Sequence, residues 1–195
     1  MKIYALTGGI AAGKSEASRR FEELGIPVID SDRVAHETLE PGGAAEKEVI
    51  EDFGEEILTE GRIDREKLGA IVFADPAALK RLNALVHPAV GREVASRTAK
   101  LVDEAHEAVI IEAALHAEDG RLREGMAGLI VVHCPREERI RRLMASRGMT
   151  EEEALRRIEA QTPPETKLRL ARWVIMNEGD IAHLHDQVDE IAKEL

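Results

Sequence analysis

Residues 8–15 read Gly8-Gly9-Ile10-Ala11-Ala12-Gly13-Lys14-Ser15 and match the pattern G-x-x-x-x-G-K-[ST] at every position. This feature constrains the fold most, because its mechanism needs a buried strand before it and the first turn of a helix after it. The apolar run at residues 3–6 supplies the strand, and the segment carrying Phe21 and Leu24 supplies the helix. Glycines let the backbone turn so tightly that successive N–H groups point inward, and the helix N-terminus adds partial positive charge. The expected ligand is a nucleoside triphosphate, ATP, cradled by Gly9, Ala11, Ala12 and Gly13. Lys14 would sit on its β- and γ-phosphates and the Ser15 hydroxyl on Mg²⁺. Glu16 is an oddity: an acid suits a first helical turn, yet it adds negative charge beside a phosphate site.

Further apolar runs at residues 26–29, 109–111, 129–132 and, more weakly, 173–176 read as buried parallel strands, with helical patterns between them. That alternation predicts a doubly wound α/β sheet. Its spacing is uneven. Some eighty residues separate the second run from the third, whereas a crossover needs only about a dozen. Residues 34–105 are therefore expected to form a helical lobe inserted into a core of residues 1–33 and 106–195. Within the lobe, Asp64 is placed to cap one helix, Asp75-Pro76 to start the next, and His87-Pro88 to break that one and open another. A second helical stretch, 136–161, has a break at Gly148 and a capping-box pair, Thr150 and Glu153.

Composition narrows the ligands. Of 195 residues, 44% are apolar and 33% charged, the balance of a globular chain with a core, and only 3% are aromatic. Few aromatics argue against single-strand nucleic-acid binding, and a net charge of −11 argues against nucleic acid and anionic membranes as partners. One cysteine, Cys134, fits a reducing compartment, and no signal or membrane-spanning pattern is visible, so a cytoplasmic protein is expected. An acidic chain that binds polyanions needs its own cations. Residues 139–147 provide four arginines with no acid among them, and Arg139 and Arg142 are the candidate lid contacts.

No D-x-x-G, N-K-x-D or L-S-G-G-Q motif is present, which removes the GTPase switches and transport ATPases. What remains is a small phosphotransferase. At the expected carboxyl end of the second strand stand Asp30-Ser31-Asp32, where ligands of open α/β sheets bind. A kinase acting on a hydroxyl needs a carboxylate to take or orient its proton, and a spacing of two puts both acids on one side if the chain stays extended. The competing reading makes Asp30 a helix cap and Asp32 a solvated first-turn residue. Glu112, ending the third strand, reads equally as an acid for Mg²⁺ or as a structural group.

These residues resemble the dephospho-coenzyme A kinase family over nearly the whole chain. The resemblance runs through Leu6-Thr7-Gly8-Gly9-Ile10 and Gly13-Lys14-Ser15, Leu24-Gly25-Ile26-Pro27-Val28-Ile29-Asp30-Ser31-Asp32, Ile63-Asp64-Arg65-Glu66-Lys67-Leu68-Gly69, Leu85-Val86-His87-Pro88, Arg157-Ile158-Glu159-Ala160-Gln161, Lys167, and Trp173-Val174-Ile175 with Asn177-Glu178-Gly179. It implies a three-layer P-loop kinase fold with a five-stranded parallel sheet, a helical acceptor lobe and an Arg-rich helical lid. It implies transfer of the ATP γ-phosphoryl group to the ribose 3′-hydroxyl of dephospho-coenzyme A, in a monomer or weak homo-oligomer. By the same resemblance Asp32 is the base, with Lys14 and Arg142 as its catalytic partners. Glu16, Arg139 and Asn177 join the nucleotide contacts, and Thr7 and His87 the acceptor contacts. The chain departs from the family at Ala11-Ala12, at Glu16, in residues 111–116, and around Ser146-Arg147. A kinase for another small acceptor and a nucleotide-dependent regulatory ATPase are the competing classes. His183 and His185 point in two directions on one helix, Cys134 reads as a small buried hydrophobe, Trp173 as packing, and Arg136 and Arg141 as solvent-facing.

Overall fold

A computed structural model describes residues 1–113, 117 and 120–195. In chain order the elements are β1 (Lys2–Gly8), α1 (Lys14–Glu23), β2 (Val28–Asp30), α2 (Ser31–Glu37), α3 (Glu46–Phe53), a 3-10 turn (Glu55–Ile57), β3 (Leu58–Thr59), β4 (Arg62–Ile63), α4 (Arg65–Ala74) and α5 (Pro76–Asp103). They continue with β5 (Ala108–Glu112), β6 (Gly128–His133), α6 (Arg136–Arg147), α7 (Glu151–Glu159), α8 (Pro164–Leu168), β7 (Trp173–Met176) and α9 (Ile181–Ala192). Two compact units result. One comprises Met1–Ile29 with Leu101–Leu195, the other Asp30–Lys100, against the 34–105 read from the sequence.

The first unit is built on a five-stranded parallel sheet ordered β2-β5-β1-β6-β7. β1 is central: Ile3 pairs with Val109 of β5, and Leu6 with Ile130 of β6. Its residues 4–7 are all fully buried, which is why an uninterrupted apolar run, rather than an alternating one, marks the strand. Alternation survives in which face each residue covers. Tyr4, Leu6, Ile110, Ile130, Val132 and Ile175 pack with Phe21 of α1 and Leu184 and Val188 of α9. Ala5, Leu129 and Val131 pack on the other face with Leu168 and Leu170. Each fully buried Leu, Ile or Phe here contributes about 1.5–3 kcal/mol. Arg20 of α1 adds a two-pronged bond to Asp189 of α9, Nε and Nη2 donating to the two carboxylate oxygens at 2.7 Å each.

The order of strands places the reversal of winding beside β1, because the chain fills β2 and β5 on one side before crossing to β6 and β7 on the other. Sites in such sheets form outside the carboxyl ends at this reversal, and the loop after β1 lies there.

The second unit has its own core of Val49, Phe53, Ile57, Leu68, Val72, Val86 and Ala89. Asp64 caps α4, its Oδ1 accepting from the Glu66 and Lys67 amides, and Asp75 accepts from Ala77 ahead of α5. Two expectations fail here. Pro88 does not break the helix: α5 runs through it for 28 residues. Proline's fixed φ is helical and it forfeits one backbone bond, while buried Val86 and Ala89 on either side hold the helix together across it. The lobe is also not purely helical, since β3 and β4 pair antiparallel across Glu60-Gly61, both at positive φ. Two-residue strands leave almost no periodic signal in a sequence.

The helical stretch 136–161 divides as expected. Gly148 caps α6 in the left-handed conformation, and Thr150 with Glu153 forms a reciprocal capping box on α7. Among the described residues no helix is long and apolar enough to cross a membrane.

Candidate nucleotide-binding site

Between Gly8 and Lys14 the chain makes a tight loop closed by its own backbone. Ala12 N–H donates to the Gly9 carbonyl at 3.1 Å, and Glu16 and Ala17 N–H groups donate to the Gly13 carbonyl at 3.2 and 3.3 Å. Ala11 and Gly13 lie at φ 57° and 100°. Such alternating handedness turns consecutive amides toward one concavity, the geometry that binds anions. Gly13 is required twice over: its φ disfavours any side chain, and a Cβ would stand 2.0 Å from the Asn177 amide nitrogen. Lys14, at the start of α1, donates from Nζ to the Gly8 carbonyl at 3.4 Å and so folds back over the loop.

Side chains from three later segments grip the loop. The Arg139 Nε donates to the Ile10 carbonyl at 2.8 Å and its Nη2 to Gln161 Oε1 at 2.8 Å, while the same oxygen accepts the Ile10 N–H at 2.8 Å. Asn177 Nδ2 donates to the Ala12 carbonyl at 2.7 Å, and its Oδ1 accepts from Arg142 Nη2 at 3.2 Å. Arg142 in turn donates from Nε to Glu138 at 3.1 Å. Arg139 and Arg142 stand three apart on α6, so one helical face delivers both. Arg139 is only 7% exposed, and burial pulls its pKa below the usual guanidinium value. Gly9 leaves room for it, since a Cβ there would meet the guanidinium at 2.5 Å.

The four arginines are less of a bare cationic cluster than the sequence suggests. Glu138, just ahead of the segment, pairs with both Arg141 and Arg142, and Arg136 pairs with Glu159. Residues three and four apart on a helix face one another, so the compensating acid stands one turn upstream. Arg147 is exposed at the end of α6.

The Glu16 oddity also has a local answer. Its carboxylate accepts from His185 Nε2 at 2.6 Å and pairs with Arg19. Arg19 first, then His185, holds its pKa below the usual glutamate value. Ser15 is exposed in the first turn of α1, and Ser18, three residues on, donates to the buried Glu112 carboxylate at 2.5 Å. Ser15 and Ser18 share a helical face, which brings the Glu112 end of β5 against the Ser15 side of α1. Thr7 is fully buried in β1. The expectations about residues 114–116 fall outside the described residues.

A cavity of about 300 Å³ lies beside the loop, lined by Gly8, Gly9, Cys134, Arg139, Gln161 and Lys167 among others. Burial raises the Cys134 thiol pKa.

In the second unit, Asp30 ends β2 and its carboxylate accepts the Asp32 and Arg33 amides at 2.9 and 3.0 Å. The chain turns helical at Ser31, so the extended spacing that would align Asp30 with Asp32 does not occur. Asp30 is a cap, and Asp32 stands exposed in the first turn of α2. His87 is exposed within α5. Sequence reasoning missed the roles of Gln161, Glu138, Ser18 and His185. Only the i, i+3 spacing of Arg139 and Arg142 was available to suggest a shared face.

This loop, on the central strand of a five-stranded parallel sheet and gripped by an arginine from a later helix, defines a P-loop kinase. The family described as CoaE, dephospho-CoA kinase, matches residues 2–183. A dephospho-CoA kinase of Carboxydothermus hydrogenoformans is 42% identical over 189 residues, covering 96% of this chain and 91% of that protein. Among solved structures, a Thermus thermophilus protein is 34% identical with a TM-score of 0.83, covering 100% and 97% of the two chains. The dephospho-CoA kinase of Campylobacter jejuni is 26% identical with a TM-score of 0.67, covering 99% and 96%. The chain belongs to the dephospho-CoA kinase family.

Proposed function

We propose that this protein transfers the γ-phosphoryl group of ATP to the ribose 3′-hydroxyl of dephospho-coenzyme A, giving coenzyme A and ADP, the last step in making coenzyme A. The observation that carries the reading is the pinned loop of a chain that matches the family over nearly its whole length. Arg139 and Asn177 hold the Ile10 and Ala12 carbonyls. In a trans peptide the N–H points opposite to the C=O, so the Ala11 and Gly13 amides are aimed away from those side chains and are available to phosphate oxygens.

Phosphoryl transfer leaves little covalent work to the protein and depends on positioning and charge stabilisation. Lys14 exchanges its weak bond to the Gly8 carbonyl for the β- and γ-phosphates. Arg142, exchanging Asn177 or Glu138 for phosphate oxygens, adds positive charge as the γ-phosphoryl group leaves. Asp32 takes or orients the proton of the acceptor hydroxyl, and its exposure leaves it open to an incoming substrate. Acceptor contacts at Thr7 and His87 belong to the same reading. The Ser15 hydroxyl and the Glu112 carboxylate are hard oxygen donors that suit Mg²⁺. Held by these two groups, Mg²⁺ would supply positive charge that offsets the charge of the triphosphate. The second unit serves the acceptor and the α6–α7 segment acts as the lid. The protein works in the cytoplasm as a monomer or weak homo-oligomer.

The test is ADP release from ATP and Mg²⁺ with dephospho-coenzyme A, set against adenylate, shikimate and gluconate. Release that depends on dephospho-coenzyme A is expected. Release with one of the other acceptors instead would overturn the substrate and leave the P-loop kinase intact, and slow hydrolysis indifferent to every acceptor would support a regulatory ATPase.

A further inference from the structure

Gln161 lies outside every motif that marks the nucleotide site, yet its side chain reaches the top of the phosphate loop. It follows α7, and its own N–H donates to the Ile158 carbonyl at 3.2 Å. Thr162 separates it from Pro163-Pro164, which opens α8. A closing helical turn on one side and two fixed proline φ angles on the other leave its backbone little freedom. The side-chain oxygen then accepts two bonds, from the Ile10 N–H and from Arg139 Nη2, each 2.8 Å long. Both partners are donors only, so the amide orientation is decided: oxygen, not nitrogen, must face them, and both its lone pairs are used.

The second partner doubles the effect. Arg139 receives its aim from Gln161 through Nη2 and passes it to the Ile10 carbonyl through Nε. The two peptide planes that flank Ile10 are thus set by one glutamine oxygen, the first directly and the second through the arginine. Those planes feed into Ala11, which sits at φ 57°, a conformation L-residues disfavour and abandon unless their surroundings hold them. Alanine lacks glycine's freedom in this conformation, so the loop depends on an external brace more than a loop with glycine at this position would.

We infer that Gln161 is a positioning residue for the triphosphate, fixing the Ile10 peptide planes and the Arg139 guanidinium so that the loop amides meet ATP already oriented. Preorganised donors are worth more than ones that must reorder when the ligand arrives. The inference rests on the reading of residues 8–15 as the ATP cradle.

Gln161→Met keeps the volume and removes the acceptor, and Gln161→Glu keeps the acceptor. Steady-state kinetics with ATP–Mg²⁺ and dephospho-coenzyme A, thermal unfolding, and amide exchange at Ile10 are measured for the full chain and both variants. For Gln161→Met the KM for ATP should rise about tenfold, as expected when a hydrogen bond to a charged group is lost. The KM for dephospho-coenzyme A should stay near wild type, and Ile10 should lose exchange protection. Gln161→Glu should restore that protection. A Gln161→Met enzyme with the wild-type KM for ATP overturns the inference. So does a loss that falls equally on both substrates and tracks a loss of folded protein, which assigns Gln161 to the fold alone. A wild-type protein that fails to bind ATP overturns the cradle reading, and this inference with it.

Discussion

The phosphate loop and the acid pair after β2 were both read from short motifs at the ends of strands, and the structure treats them differently. In the loop, function resides in backbone amides, and the residues that shape the backbone are the motif itself. Gly13 at φ 100° and the start of α1 at Lys14 follow directly from it. In Asp30-Ser31-Asp32, function would reside in side chains, whose direction depends on where the strand stops. The strand stops at Asp30, whose carboxylate turns to cap α2, so the two acids part company. A motif made of backbone is legible from its residues alone. A motif made of side chains is legible only after the secondary structure beneath it is known.

The comparison can be broken experimentally. Removing the Lys14 ammonium by Lys14→Met should lower kcat/KM by about 10³-fold with the fold intact, the scale expected for a charge aimed at the transferring group. A change of less than tenfold would demote the lysine, and with it the claim that the motif alone defines the chemistry. Next in size is Asp32→Asn, expected to lower kcat about 10²-fold while the KM for ATP changes little. Asp30→Asn is its control: asparagine caps as well as aspartate, so turnover should remain within about threefold of wild type. If Asp30→Asn is the damaging change and Asp32→Asn the mild one, the roles must be exchanged.

Gly13→Ala sharpens the loop's side of the comparison. The added methyl meets the Asn177 amide and forces an unfavourable φ, so binding of ATP should weaken by at least about tenfold, with a stability loss of about 1–3 kcal/mol. Calorimetric titration and thermal unfolding on the same samples separate the two effects. The smallest expected effect concerns Glu16. Its folded pKa is depressed, so the stability it contributes is present above its unfolded value near 4.5 and is lost as pH falls through the lower folded value. Glu16→Gln should therefore unfold at lower temperature than wild type at pH 7, and the difference should shrink as pH falls below 4.5. A difference that persists unchanged into acid would mean that the Arg19 and His185 contacts are not electrostatic in origin.

Much of the first unit was visible in advance because its strands are buried on both faces and read as plain apolar runs. Strands β1, β5, β6 and β7 coincide with such runs to within a residue or two, and the breaks at Gly148 and Thr150 carry their own capping chemistry. The second unit was less legible. β3 and β4 are too short to show a period, and Pro88 looked like a break because its immediate neighbours do not reveal that Val86 and Ala89 are buried. In the site, the cradle, Lys14 and the reach of Arg139 and Arg142 could be anticipated. The grip of Gln161 on the Ile10 N–H and of Asn177 on the Ala12 carbonyl could not, since each joins positions more than 150 residues apart. The acid that balances Arg142 was in plain view at Glu138, but only a helix brings i and i+4 together.

Cys134 has a bearing on the proposed product, which ends in a sulfhydryl. Thiol–disulfide exchange begins with a thiolate that can reach its target. The chain's only cysteine is 3% exposed and its pKa is raised by burial, so it is kept protonated and enclosed. An enzyme built this way can release a thiol coenzyme, and meet its oxidised forms, without offering a sulfur of its own for a mixed disulfide.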